Sequence, residues 1–154
     1  MKLSNFFESQ RATELICANS MYAAVDLMLE HDFSMFVVDG QLLYAQDRDR
    51  ARVAGPDFVR FIRMCEGAVS EVPVIFLRTE NGHQNLFEAN AEIEQARDAG
   101  ANGILPQPFD ADRFDATVRP ILLAPRPFVR SQGYVGPCRR VKDIAVRLER
   151  RKSP

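Results

Sequence analysis

Apolar and polar residues follow two periods along the chain, and the switches between them mark out its elements. "TELICA" (13–18) is a short apolar run read as a strand. "MYAAVDLMLEHDF" (21–33) places Ala24, Val25, Leu27, Met28 and Leu29 at helical spacing. "SMFVVDG" (34–40) is compact, rich in Phe and Val, and stopped by Asp-Gly, the pattern of a fully buried strand. "PDFVRFIRMC" (56–65) carries Phe58, Val59, Ile62 and Met64 on a helical face, with Pro56 and Asp57 as starters. "VPVIFL" (72–77) and "NGILPQ" (102–107) are two more buried strands. Between them "LFEANAEIEQARDAGA" (86–101) is a helix closed by Gly100. "DADRFDATVRPILL" (110–123) opens on Asp caps and turns Phe114, Val118 and Ile121 inward.

Strands and helices therefore alternate after a short N-terminal helical piece. Buried strands joined by amphipathic helices imply a parallel sheet covered on both faces, an α/β doubly wound fold. The functional edge of such a sheet lies at the carboxyl ends of its strands. Asp39, Arg78 and Gln107 each stand at such an end.

After Leu123 the pattern stops. "APRPFVRSQGYVGPCRR" (124–140) has three Pro and two Gly and reads as an extended linker. "RRVKDIAVRLERR" (139–151) is either a short amphipathic helix, with Val141, Ile144, Ala145 and Leu148 on one face, or a solvated tail. The division expected is a domain over 1–123 and a linker with basic tail over 124–154.

Charge sharpens that division. From Arg126 onward nine basic residues face two acidic ones, whereas residues 1–125 hold eleven basic and nineteen acidic. A basic tail on an acidic body suggests contact with an anion: nucleic acid, a membrane surface or the body itself. Arg139, Arg140, Lys142, Arg147, Arg150 and Arg151 are the candidates. No aromatic residues are interleaved for base stacking and no helix-turn-helix is present, which argues against sequence-specific DNA reading.

At 154 residues and 46% hydrophobic, the chain supports one domain with a real core. No run approaches a membrane span, and "MKLSNFFESQ" lacks the apolar region of a secretory signal. Cys17, Cys65 and Cys138 are far apart and odd in number, so free thiols in a reducing cytoplasm are expected. Cys17, in a strand, and Cys65, at a helix end, read as buried; Cys138 reads as a surface thiol in a flexible basic segment. His31 and His83 have no neighbours at ligand spacing. The alternating charges of "QDRDRARVAG" (46–55) read as a solvated loop or helix start. No nucleophile, base, metal set or phosphate loop is apparent, so an enzyme is not expected.

In order and spacing, four stretches resemble a response-regulator receiver domain of the chemotaxis type. "HDFSMFVVDGQL" is similar to the family's third strand, with the phosphoacceptor at Asp39; "PDFVRFIR" to its third helix; "VPVIFLRTE" to its fourth strand; "GANGILPQPFD" to its fifth strand and the turn after it. The resemblance covers about Met1 to Leu123 and implies a flavodoxin-like three-layer sandwich.

The family's phosphoryl transfer needs further carboxylates to hold Mg²⁺, a lysine to neutralise the phosphoryl oxygens, a hydroxyl on strand four and a ring on strand five. Matched position by position, the hydroxyl falls on Arg78, with Thr79 one residue late, the ring on Ile104 and the lysine on Gln107. Pro108 is kept, and a cis bond before it is expected. The first strand and its acidic pair are missing, "KLSNFFESQ" corresponding to the first helix. About nine extra residues around "YAQDRDRAR" lengthen the loop after Asp39. Arg78 is expected to form a standing salt bridge with Asp39.

These departures point to a pseudo-receiver without a cofactor: a signalling adaptor in bacterial two-component regulation, touching its partner through about residues 86–122. An exposed sheet edge also favours a homodimer. One alternative is a phosphorylatable regulator using Asp39 and Mg²⁺. Another is a binder of nucleic acid or an anionic nucleotide through the C-terminal arginines.

Overall fold

The computed structural model describes residues 14–45, 52–79 and 86–140. Its centre is a three-stranded parallel sheet in the order β1-β2-β3, built from β1 (Phe36–Asp39), β2 (Val74–Thr79) and β3 (Gly103–Gln107). β2, in the middle, buries Val74, Ile75, Phe76 and Leu77. Alternation along the strand divides these four between the two faces.

One face carries α1 (Met21–Glu30), α2 (Gly55–Met64) and α3 (Leu86–Ala99). There Val74 and Phe76 pack with Phe36, Val38, Phe58, Val59, Ile62, Ala96 and Ala99. The other face carries α4 (Ala111–Leu123), whose Phe114 and Val118 close over Ile75, Leu77 and Leu105. The expected doubly wound α/β fold is therefore present.

The helices begin and end for local reasons. The Ser20 side chain accepts from Ala23 N at the start of α1, and that of Asp110 accepts from Arg113 N at the start of α4. α2 carries Pro at its start and Asp57 in its first turn. α3 stops at Gly100, whose φ of 100° suits glycine alone among residues of ordinary helix ends.

Three expectations fail. First, residues 14–18 of "TELICA" form no strand, and Cys17 is exposed rather than buried. A run of four apolar residues is too short to declare its own conformation, and it joins no ladder. Second, 124–140 is not an extended linker. It contains an antiparallel hairpin, β4 (Phe128–Ser131) and β5 (Tyr134–Pro137), which leans on α2 and α3. Third, Cys138 is half-buried and fixed through its N–H to Pro127 O at 2.7 Å, so it does not sit in a loose segment.

Cys65 is half-buried beyond α2, and burial pushes its thiol pKa up. The proposed helix over 139–151 lies beyond the described residues from 141 on, as do His83 and residues 46–51 of the charged run. Among the described residues no helix is long and apolar enough to cross a membrane.

One side chain ties the amino ends of these elements together. Arg63, 2% exposed, donates from Nε to Gly100 O, from Nη1 to Ser70 O and Val72 O, and from Nη2 to Asn102 Oδ1. Its guanidinium also lies 5.5 Å from the centroid of Phe128 on β4. Burial lowers its pKa to about 10, and it stays a cation at neutral pH. No carboxylate is among these hydrogen-bond acceptors; the charge is spread over carbonyl oxygens and one ring face.

Candidate functional site

The carboxyl ends of the strands gather the residues expected there, though not in one row. Register sets Asp39 beside Leu77 and Leu77 beside Leu105, while Thr79 stands beside Gln107. At a rise of about 3.3 Å per residue, Gln107 lies roughly 7 Å farther along the strand direction than Asp39. Asp39 is exposed, and its Oδ1 accepts from Gln41 N at 2.8 Å. Its carbonyl accepts from Leu42 N at 3.0 Å, closing a turn.

The backbone around Asp39 is packed too closely for side chains. A Cβ on Gly55 would lie 2.7 Å from both Asp39 O and Gly40 O. A Cβ on Gly40 would lie 2.7 Å from Glu92 Oε1 and 3.0 Å from Leu77 O. Further out, Tyr44 donates its hydroxyl to Asp57, joining the loop after Asp39 to the first turn of α2. That bond, with help from Arg60, holds the Asp57 carboxyl below its usual range.

The expected Arg78–Asp39 ion pair is not among those formed between described residues. Alternation explains this: Arg78 follows Val74 and Phe76 toward the face of α3, whereas Asp39 follows Val37 toward the other. Ile104, at the position of the switch ring, packs against the core and is held there. The Gln107–Pro108 bond is cis.

Glu92, on α3, enters this site without any warning from the sequence. Burial raises its pKa; the charge of Arg78 pulls it down and that of Asp39 pushes it up. Its Oε2 is buried and accepts no hydrogen bond among the described residues. Among the described residues the edge thus holds two carboxylates and one guanidinium, with a neutral amide where the resemblance puts a lysine. The donors do not fit a Mg²⁺ site of the family's kind. Among the described residues no three His, Cys, Asp or Glu side chains come together.

Of the candidate anion-binding residues, Arg139 and Arg140 are described. Arg139 pairs with Asp98 at 2.7 Å and stacks 3.8 Å from the centre of the Tyr134 ring; Arg140 is exposed. Lys142, Arg147, Arg150 and Arg151 lie outside the described residues.

This is the architecture of a receiver domain, and similar solved structures bear it out. The receiver domain of NtrX from Brucella abortus superposes with a TM-score of 0.57 at 20% identity, over 79% of this chain and 87% of that one. The signal receiver domain of a signal transduction histidine kinase from Syntrophus aciditrophicus gives 0.57 at 13% identity, over 86% and 88%. A response regulator from Burkholderia pseudomallei, solved with a phosphorylated aspartic acid, calcium ion and citrate, gives 0.52 at 16% identity, over 80% and 68%. No protein-family model and no curated protein sequence matches the chain. The likeness is one of fold.

Proposed function

We propose that this protein is a receiver-like signalling adaptor that works by protein–protein contact and does not cycle phosphate on Asp39. The observation that carries the reading is the charge at the carboxyl edge. Against Gly40, the residue after Asp39, stands a second carboxylate, Glu92, whose pKa is raised by burial. A phosphoryl group there would add about two negative charges, without a lysine at Gln107 to balance them.

The contact surface is α3, β3 and α4, about residues 86–122, bordered by the exposed Leu122 and Leu123. β1 pairs with β2 alone among the described residues, which leaves its other edge for a second copy of the chain. The free thiols of Cys17, Cys65 and Cys138 suit a reducing compartment.

A second reading is phosphorylation of Asp39, favoured by the exposure of that carboxylate at a strand end. The two separate cleanly. The purified protein is incubated with a small phosphodonor and Mg²⁺ and its intact mass recorded. The adaptor reading expects no adduct. A stable phosphoryl adduct that disappears in Asp39→Asn would establish the second reading in its place.

A further inference from the structure

At the end of the sheet opposite Asp39 the hairpin and the body enclose a cleft of about 210 Å³. Three arginines line it, Arg97, Arg126 and Arg139, together with Asn102 and Tyr134. Each arrives from a different place. Arg97 is in the last turn of α3, Arg126 precedes β4, and Arg139 follows β5.

The charges do not cancel. Arg139 is matched by Asp98 at 2.7 Å. Arg126 spends its donors on neutral carbonyls, Asn102 O at 2.5 Å and Cys138 O at 3.5 Å. Arg97 forms no ion pair among the described residues. Three cations with one carboxylate leave the cleft two positive charges in excess.

The walls are also held in place. Tyr134 donates its hydroxyl to Pro137 O at 2.8 Å and presents its ring to Arg139 at 3.8 Å. Gly136 meets Gly100 so closely that a Cβ on it would lie 2.9 Å from Gly100 Cα. The hairpin therefore sits close against the end of α3, with Arg126 held by Asn102 O and Cys138 O and Arg139 by Asp98 and the Tyr134 ring. Arginines gathered around one space are the kind of group that recognises tetrahedral oxyanions through paired N–H donors.

We propose that this cleft is a binding site for a phosphate dianion, either free or as the phosphate of a small monoester. The excess of two charges matches the dianion. An adjoining cleft of about 280 Å³ shares Asn102, Gly103 and Arg126 and continues over Pro120 and Ile121, leaving room for an organic part.

Full-length protein is titrated with inorganic phosphate, with AMP and with a short single-stranded oligonucleotide, and amide shifts are followed by NMR at low salt. Phosphate and AMP are expected to shift amides around Asn102, Arg126 and Arg139. Equal affinities assign the site to free phosphate, and tighter AMP to a monoester. Arg97→Ala removes a side chain with no ion pair to lose, so its melting temperature stays near wild type. It should weaken binding about tenfold, the effect of losing one charged contact of about 1.4 kcal/mol. Arg139→Ala gives an independent second reading of the same loss. Absence of binding by phosphate and AMP, affinity unchanged in Arg97→Ala, or preference for the oligonucleotide that survives Arg97→Ala would each overturn the proposal.

Discussion

The two ends of the sheet are built by opposite rules. At the amino end, polar groups are matched by partners. Arg63 meets four acceptors, Asn102 Oδ1 takes both Arg63 Nη2 and Val74 N, and Arg130 reaches Ser70 and Glu71. At the carboxyl end, Asp39 is exposed, Glu92 is buried with an oxygen that accepts no hydrogen bond from described residues, and Gln107 stands two residues beyond Asp39's level. The carboxyl end carries an exposed carboxylate and a buried one. The end where a receiver has no chemistry carries the tight network. Stability can thus be concentrated at one end of a sheet.

That contrast can be broken experimentally, and the largest effect should come at the amino end. Arg63→Ala removes four hydrogen bonds and leaves their acceptors buried. It should cost about 3–5 kcal/mol, seen as a lower urea midpoint. Arg63→Lys should recover little, since one ammonium cannot reach acceptors spread over the guanidinium's fork. Next, Gly100→Ala places a Cβ 2.6 Å from Val135 O in a backbone of positive φ. A loss of about 2 kcal/mol is expected by the same measurement.

At the carboxyl end the effects should be smaller. Gly40→Ala meets Glu92 Oε1 at 2.7 Å, a side chain that can swing away, and Leu77 O at 3.0 Å, which must give by a few tenths of an ångström, so about 1 kcal/mol is expected. Equal losses for Gly100→Ala and Gly40→Ala would erase the contrast. The smallest effect is one of pH. The Glu92 pKa is raised in the folded state, so between the ordinary carboxyl pKa and that raised value the native chain holds a proton that the unfolded chain has lost. Stability from this group therefore falls as pH rises through that window and is fully kept below it. Glu92→Gln should flatten this part of the pH–stability curve, measured by thermal melting from acid to neutral pH.

Much of this was legible in the sequence. The strands at 36–39 and 74–79 announce themselves as short β-branched and aromatic runs and that at 103–107 as a short apolar one, because a parallel strand is covered on both faces. The helix faces follow from period. The pattern sets Asp39, Arg78 and Gln107 at strand ends, and the kept Pro108 points to the cis bond found before it. The Arg78–Asp39 pair was not to be had from spacing, because it depends on which face each side chain takes. Glu92 escaped for a similar reason: a polar residue on an amphipathic helix reads as solvated until the helix is set against a particular sheet edge. Arg63 did leave a trace, four residues after Val59 and one after Ile62, in the apolar stripe of α2. The hairpin left a clearer one. "FVR" and "YVG" are β-prone runs around Gln132–Gly133, a hairpin signal masked by the flanking prolines.

The seating of Gly136 against Gly100 has a consequence for how the molecule opens. A chain cut after Leu123 would take Phe128 from Arg63, Arg126 from Asn102 O and the hairpin from the end of α3. The hairpin and the sheet should then behave as one cooperative unit, and amide protons of β5 should exchange with solvent as slowly as those of β2. The last strands of the described chain act less as an appendage than as the latch of its core.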